Sequence, residues 1–319
     1  MTAASLVSRE SPAAVFVNPI AGRGRANAHV SQLRKFFAAQ NFFAEFVLPA
    51  SATELESSAR LAVAAGSKVL LAMGGDGTFQ ALVNAAHGSD AVLGLLPTGG
   101  GNDVAAALGL PGKNPIGAAE AIFSGEPRAI DLLCAHTADG RERLYVGGGG
   151  MGLDADAAGH AGGAYRRVPG RWRYIAAALR ALWEFQPLRV RAEFPDPPSP
   201  TIERNILFAA VLNTPTYGAG VRLAPAASIG DGLLTAAFFN DLSAIQVLAL
   251  LPRLMARGDL PEGYIQRVVA RRVRLIPDRP CVFHGDGEIL GPAPVEIEVL
   301  PQAMRVLAPA PRALASIPR

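Results

Sequence analysis

Adjacent glycines around an aspartate form the first segment of this sequence that is suited to chemistry. Gly74-Gly75-Asp76-Gly77-Thr78 follows the apolar run Val69–Met73 directly, and a helical pattern starts after it. Glycines let backbone N–H groups approach phosphate oxygens closely, and the N-terminus of a helix adds a favourable dipole. Asp76 would repel phosphate unless it faces a metal ion or a hydroxyl. The segment therefore predicts a phosphate-binding loop, and a purely structural turn is the less favoured alternative.

A carboxylate on a glycine-flanked turn is the second feature of this kind. Asp286 follows the predicted strand Cys281–His284 and lies between Gly285 and Gly287, on a turn that would expose its side chain. Phosphoryl transfer to an alcohol depends mainly on positioning and charge stabilisation, and a carboxylate that takes the hydroxyl proton assists it. Asp286 is suited to that task, and a solvated turn aspartate without a function is the alternative.

The elements that must position these residues change in character near Asp131. Before it, predicted strands alternate with helical patterns, which is typical of a parallel α/β sheet whose strand ends form the site. The predicted strands of this part are Ala14–Val17, Phe42–Leu48, Val69–Met73 and Val92–Leu96. A helical pattern separates each of the first three strands from the next.

After Asp131 the predicted elements are mostly strands, which indicates a mainly antiparallel domain, a β-sandwich. The predicted strands are Leu144–Val146, Leu188–Phe194, Ile206–Leu212, Leu233–Phe239, Val268–Ile276, Val282–Phe283 and Val295–Leu300, with helices around Trp172–Trp183 and Ser243–Met255. We predict domains at residues 1–131 and 132–308, the last strand being free to pack back on the first domain, followed by a tail at 309–319.

The composition excludes several classes of protein. With 50% hydrophobic and 18% charged residues, the chain is neither disordered nor collagen-like, and it contains no apolar run long enough for a transmembrane helix. A net charge of +3 is too small to indicate a nucleic-acid binder. Cys134 and Cys281 are isolated, and the segment Met1–Pro12 has no apolar core of an export signal, so we expect a protein of the reducing cytoplasm without zinc or disulfides.

Gly-Gly-Asp-Gly-Thr between a strand and a helix resembles the loop of a superfamily that comprises diacylglycerol and sphingosine kinases, NAD kinases and phosphofructokinases. Further segments resemble the bacterial diacylglycerol-kinase-like lipid kinases, and they follow the family's order over about residues 14 to 300. These segments are Asn18–Gly22, Pro97–Ala105, Asn213 with Tyr217–Gly220 and Pro225, Asp231–Leu234, and Asp286–Glu288. The resemblance implies an N-terminal domain with the parallel sheet of phosphofructokinases and NAD kinases.

The resemblance also implies that ATP binds at the glycine loops of the first domain. The implied nucleotide-binding residues are Asn18, Pro19, Gly22, Gly74, Gly75, Asp76, Gly77, Thr78, Gly99, Gly100 and Asn102. Arg167 and Arg173 match a segment in which sphingosine kinases place two arginines on nucleotide phosphates, for which guanidinium groups are well suited. The chain departs from the family at Gly100, where Thr is usual, and at Ala21, where Ser is usual.

By resemblance, Asp286 is the candidate base and Glu288 a carboxylate of a metal network, although these two roles are open to exchange. Asp76 is the third residue assigned to catalysis. Asp103 and Asp131 would complete a network of carboxylates, water and Mg²⁺, an ion that needs oxygen ligands and few carboxylates.

A separate structural magnesium site is implied at Asp231, with the backbone carbonyls of Ser228 and Leu233. The alternative is a plain Asp-Gly turn at the start of a strand, because Asp-Gly is common in hairpins.

Together these features predict an ATP-dependent lipid kinase that phosphorylates diacylglycerol, a sphingoid base or ceramide, with the lipid hydroxyl entering between the domains. Its acceptor implies peripheral contact with the inner leaflet of the membrane, for which the segment Arg166–Trp183 is the best candidate. A kinase for a soluble acceptor such as NAD and a catalytically silent lipid- or nucleotide-binding protein are the alternatives. A nucleic-acid partner is not expected, and a homodimer is left open.

Overall fold

The chain divides into two units, one formed by residues 1–130 and 303–319 and the other by residues 131–302. The computed structural model describes residues 3–19, 21, 26–152, 187–195, 200–218, 220–242, 246, 249–250, 252–253, 260 and 263–309. Asp131 lies within a strand at 126–137 and Gln302 within one at 295–308, so both boundaries fall inside strands.

Unit 1 alternates strands and helices along the chain. Its elements are a 3-10 helix Ala3–Leu6, β1 Ala13–Val17, α1 Ala26–Ala39, β2 Ala44–Val47, α2 Ala52–Ala64, β3 Val69–Gly74, α3 Asp76–Ala86, β4 Val92–Pro97, α4 Asp103–Ala107, α5 Pro115–Phe123 and the start of β5 Glu126–Thr137.

The sheet of unit 1 is parallel. Its strand order is β4-β3-β1-β2, and Arg305 and Val306 pair in parallel with β4 at the other edge. All residues of β1, β3 and β4 are buried, as expected for parallel strands that are covered on both faces. Val17 pairs with Met73 and Gly74 with Pro97, so these three strands end at one edge of the sheet.

Unit 2 consists mainly of strands, beginning with the rest of β5. Its further strands are β6 Glu142–Tyr145, β7 Gly148–Gly152, β8 Leu188–Glu193, β9 Ile202–Leu212, β10 Leu234–Asn240, β11 Ile265–Ala270, β12 Arg272–Pro277, β13 Val282–Gly285, β14 Glu288–Pro292 and β15 Val295–Ala308, the last of which ends in unit 1.

The strands of unit 2 pair antiparallel in the order β14-β13-β7-β9-β8-β12-β15, while β10 lies between β9 and β11. Alternate residues of β9 enter two different apolar clusters, with Ala209 and Val211 in one and Ala210 and Leu212 in the other. Both faces of this strand are therefore buried. The predicted fold class, a parallel α/β domain followed by an antiparallel β-rich domain, is confirmed.

The observed strands of the second domain differ from the predicted ones in two ways, because one predicted strand is divided and three strands were not predicted. The single strand predicted over Val268–Ile276 is two strands, β11 and β12, which are separated at Arg271. Strands β5, β7 and β14 were not predicted, and β7 was missed because a run of glycines has low strand propensity. A Cβ atom at Gly149 would lie 2.8 Å from the ring of Phe283, so the close approach of β13 requires glycine there.

The helix predicted around Trp172–Trp183 lies outside the described residues. Of the segment Ser243–Met255, the described residues 246, 249–250 and 252–253 are helical. No helix in the described part of the chain has both the length and the apolar character needed to cross a bilayer.

Candidate active site

Three polar segments follow the ends of β1, β3 and β4 in unit 1, and hydrogen bonds join them. The backbone N–H of Asn18 donates to the carbonyl of Met73 (2.9 Å), and its side-chain amide donates to Oγ1 of Thr78 (3.2 Å). The N–H of Thr98 donates to the carbonyl of Gly74 (2.8 Å). The structure thus brings together residues from all three segments that the family resemblance assigns to the nucleotide.

The loops after β3 and β4 approach each other closely. A Cβ atom at Gly99 would lie 2.7 Å from the Cα atom of Gly75, so only glycine fits at residue 99. Gly100 is different, because a Cβ atom there would meet nothing within 4 Å. Packing therefore explains Gly99, but it does not explain why Gly100 replaces the threonine that is usual in the family.

The Asp76 carboxylate connects the two loops. Its Oδ2 accepts the backbone N–H of Asp103 (3.0 Å), and its Oδ1 accepts that of Val104 (3.3 Å). These N–H groups open helix α4, whose N-cap residue Asn102 makes no side-chain capping bond. Asp76, the first residue of α3, therefore caps α4 from the start of another helix, in addition to any contact that it makes with a ligand.

Two buried oxygen atoms in the second loop have no partner among the described residues. They are Oγ1 of Thr98, a residue that is 7% exposed, and Oδ1 of Asn102, whose amide nitrogen donates to the carbonyl of Gly99 (3.1 Å). Buried polar atoms normally have a hydrogen-bond partner. A ligand or ordered water at the loop would supply one, so the loop fits a polar group such as a nucleotide phosphate or ribose.

In unit 2, the carboxylate of Asp286 binds a row of backbone amides. Its Oδ2 accepts the N–H of Val146 (2.7 Å), and its Oδ1 accepts those of Gly147 (2.9 Å) and Gly148 (3.2 Å). The residue has a φ of 50°, a left-handed conformation that aspartate tolerates better than most residues. The sequence predicts an exposed turn aspartate, but the side chain is half-buried, because the carboxylate turns back onto these amides.

Two buried side chains lie beside Asp286 in unit 2. Burial, and then the charge of Asp286, raise the pKa of the Tyr145 phenol well above its ordinary value, so this hydroxyl stays neutral. The His284 ring bonds the carbonyl of Gly150 through Nδ1 (2.7 Å) and the Tyr217 hydroxyl through Nε2 (3.3 Å). Because a carbonyl only accepts, Nδ1 carries a proton, and Nε2 faces the Tyr217 hydroxyl.

Glu288 opens strand β14, two residues after Asp286. Its side chain is exposed overall, yet neighbouring atoms remove enough water from the carboxylate to raise its pKa, and the positive charge of Arg143 opposes this effect. A carboxylate that is poorly hydrated benefits from a cation, so its environment is compatible with the predicted metal network.

Asp131 and Asp231 line one cavity of about 310 Å³ in unit 2. Asp131 is completely buried, and its two oxygens accept the N–H groups of Gly232 (2.6 Å) and Gln302 (2.8 Å). These bonds give Asp131 a structural task that was not predicted. Asp231 is exposed and accepts the N–H of Leu233 (3.0 Å) in an Asp-Gly turn.

The residues predicted to bind magnesium do not form a preassembled cage. Within the described ranges, no three side chains of His, Cys, Asp or Glu lie close enough together to hold a metal ion. The donors predicted at Asp231, its carboxylate and the backbone carbonyls of Ser228 and Leu233, are hard oxygens, which fit an ion that keeps several waters. Four residues predicted to bind the nucleotide remain. Gly22, Arg167 and Arg173 lie outside the described part of the chain, and Pro19 is exposed.

Sequence reasoning missed Thr98 beside the loops of unit 1, and Thr214 and His284 near Asp286 in unit 2. Thr214 is fully buried, and its hydroxyl lies 3.1 Å from the carbonyl of Gly147, which belongs to the row of amides around Asp286. Its position directly after the apolar strand β9 was the available signal, because polar residues at strand ends often form sites. His284 has no spacing typical of a metal ligand, and its partners are far away in sequence.

Two protein-family models match the chain. Residues 12–135 match the diacylglycerol kinase catalytic domain, and residues 149–308 match the YegS C-terminal domain, which is described as similar to the β-sandwich of NAD kinase. The two matches follow each other along the chain and together span most of it.

Curated relatives and solved structures agree with these matches. A diacylglycerol kinase of Mycobacterium tuberculosis is 31% identical over 249 residues, 78% of this chain and 79% of that protein. A probable lipid kinase of the YegS-like type from Stenotrophomonas maltophilia is 30% identical, over 77% of this chain and 80% of its own length. A crystal structure from Bacillus anthracis str. Sterne superposes with a TM-score of 0.74 at 20% identity, covering 93% of this chain and 97% of the other, which shows a shared fold.

Proposed function

The chain belongs to the family of lipid kinases that contains the diacylglycerol kinases and the YegS-like proteins, and we propose that it transfers the γ-phosphoryl group of ATP to a lipid hydroxyl. The observation that carries this proposal is the pair of glycine-lined loops in unit 1. They meet after β3 and β4, and the buried oxygens of Thr98 and Asn102 there have no partner among the described residues. A nucleotide would satisfy both groups.

The two units contribute different parts of the proposed reaction. The loops of unit 1 would bind the phosphates through backbone N–H groups and the N-terminus of α3. In unit 2, Asp286 would accept the proton of the lipid hydroxyl. Its oxygens are held by charge-assisted hydrogen bonds, which are about twice as strong as those between neutral groups, so the carboxylate is fixed in direction.

A structural magnesium ion would be held by Asp231 with the backbone carbonyls of Ser228 and Leu233, and when bound it would stabilise the fold. A separate network of carboxylates, water and Mg²⁺ would include Asp103, Asp131 and Glu288, and its ion would neutralise charge on the phosphates.

The acceptor in this proposal is diacylglycerol, a sphingoid base or ceramide, since relatives at 30–31% identity are named as diacylglycerol or lipid kinases. Such an acceptor resides in a bilayer, so the protein would work at the membrane surface and would need neither a nucleic acid nor a membrane-spanning helix.

The test is phosphoryl transfer from ATP that is radiolabelled in its γ-phosphate. The purified full chain is offered diacylglycerol, sphingosine or ceramide in detergent micelles, and NAD in a separate reaction, each with and without Mg²⁺. We expect label in a lipid product only when Mg²⁺ is present.

Each outcome of this assay has a definite meaning. Label in NADP rather than in lipid would replace the proposal with a kinase for a soluble acceptor. ATP binding without label in any acceptor would indicate a catalytically silent binding protein.

A further inference from the structure

The backbone N–H groups of Val146, Gly147 and Gly148 form the row of amides that binds Asp286. The carbonyls of Val146 and Gly147 point the other way, towards the end of strand β9. The carbonyl of Val146 accepts the side-chain amide of Asn213 (3.2 Å). The carbonyl of Gly147 accepts the backbone N–H of Asn213 (2.8 Å), and the Thr214 hydroxyl lies 3.1 Å from this carbonyl and 2.9 Å from that of Thr216, so it is shared between the two. Both Asn213 and Thr214 are fully buried. The carbonyls on one side and the N–H groups on the other are therefore all engaged.

Peptide planarity links the two sides of this row. The carbonyl of Val146 and the N–H of Gly147 belong to one planar peptide, and the carbonyl of Gly147 and the N–H of Gly148 belong to the next. A bond that fixes a carbonyl therefore also fixes the direction of the N–H on the opposite side. Those two N–H groups donate to Oδ1 of Asp286.

The row needs such support because Gly147 and Gly148 have no side chains, and glycine samples many backbone conformations. On one side β7 pairs with β9, where Gly148 is opposite Leu212, and on the other it pairs with β13. Asn213 and Thr214 follow Leu212 directly. Asn213 and Thr214 contact the backbone just beyond the last residue pair of the β7–β9 ladder. At this point the amides of Val146 and Gly147 bind Asp286.

From these contacts we propose that Asn213 and Thr214 are positioning residues, which orient the Asp286 carboxylate through the peptide groups of Val146 and Gly147. This inference rests on the proposed kinase function, in which Asp286 takes the hydroxyl proton. Neither residue touches the reacting atoms in this account. Loss of the Thr214 hydroxyl would leave the Gly147 carbonyl with the Asn213 N–H as its remaining partner and would loosen the orientation of this peptide, and misplacement of a catalytic group by about 1 Å can cost on the order of a hundredfold in rate.

The test compares Thr214→Val, which keeps the shape but removes the donor, with Thr214→Ser, which keeps the donor. Thr137→Val is the control, since it removes the hydroxyl of another buried threonine of the same unit, which lies 2.6 Å from Oδ1 of Asp139 and 3.2 Å from the carbonyl of Arg141, away from Asp286. We expect Thr214→Val to lower kcat about tenfold or more with KM for ATP unchanged, and Thr214→Ser and Thr137→Val to stay within about twofold of wild type.

A second measurement does not depend on activity. Loss of the Thr214 hydroxyl or of the Asp286 carboxylate should change the environment of the backbone amides of Gly147 and Gly148. In both Thr214→Val and Asp286→Asn we therefore expect the NMR signals of these two amides to shift and their hydrogen exchange to accelerate. If Thr214→Val does not fold, Thr214→Ala, which leaves room for water, replaces it in both measurements.

The outcomes separate this inference from the proposed function. Normal kcat in Thr214→Val would overturn the positioning role, and so would an equal loss in Thr214→Ser, because that would show a need for threonine's shape alone. A wild-type protein without phosphoryl transfer would remove the kinase proposal. The amide signals would then decide the link between Thr214 and Asp286, and unchanged signals in Thr214→Val would refute it.

Discussion

Asp76 has two tasks at the scale of the single residue, because it caps α4 and also lies on the predicted phosphate-binding loop. Asp76→Ala removes the acceptor of two N–H groups, so we expect the free energy of unfolding to fall by about 1 kcal/mol, as is typical when an N-cap side chain is lost. Asp76→Asn keeps one acceptor oxygen and should lose less. Urea unfolding measures the difference, and equal stability of Asp76→Ala and wild type would contradict the capping role.

The two cysteines should differ in reactivity. Burial, followed by the charges of Glu142 and Glu298, raises the pKa of Cys134 to about 11, whereas Cys281 is partly exposed. The thiolate is the reactive form, and for Cys134 it becomes abundant only as the pH rises towards that value. In the native protein at about pH 7 we expect iodoacetamide to alkylate Cys281 but not Cys134, as measured by mass spectrometry.

Urea-unfolded protein is the control for this experiment, since both thiols should then react. Modification of Cys134 at the rate of Cys281 in the folded chain would show that the interior of unit 2 is more accessible than the structure indicates.

At the scale of elements, the loop between β4 and α4 has space for a larger residue. Gly100→Thr would restore the side chain that is usual in the family, and a Cβ atom there meets nothing within 4 Å. A hydroxyl that bonds a charged phosphate should lower KM for ATP by up to about tenfold, roughly 1.4 kcal/mol, without changing the melting temperature.

Gly99→Ala is the matched control for the same loop, because its added methyl would collide with the backbone of Gly75 and should impair ATP use. An unchanged KM for ATP in Gly100→Thr would indicate that residue 100 does not face the nucleotide as proposed.

The sequence was sufficient to predict most elements, but not the contacts between them. Uniformly apolar runs and turn glycines predict β3 and β4 and the loops after them, because burial on both faces leaves a clear pattern. The glycine strand β7 has no such apolar pattern. Its glycines are needed because Phe283 of β13 approaches the strand closely, a contact that the sequence does not reveal. The hydrogen bonds from the first N–H groups of α4 to Asp76 likewise join segments that are distant in sequence.

At the scale of the whole molecule, a magnesium ion that binds only the folded chain should stabilise it. We expect added Mg²⁺ to raise the melting temperature of the wild type, and Asp231→Ala to weaken this response because a hard oxygen ligand is lost. Asp241→Ala, at another exposed aspartate of unit 2, should respond like the wild type. An identical magnesium response in all three proteins would count against a site at Asp231.

The division of labour between the units is the central claim, since it assigns nucleotide binding to unit 1 and proton acceptance to Asp286 of unit 2. Its most direct test is the turnover of Asp286→Asn in the labelled-ATP assay, beside Glu288→Gln as the neighbouring carboxylate variant. Asparagine preserves size while removing the carboxylate, so we predict that kcat falls by about 10² to 10⁴ while ATP still binds. Near-normal turnover of Asp286→Asn, with a lipid that the wild type phosphorylates, would contradict the account.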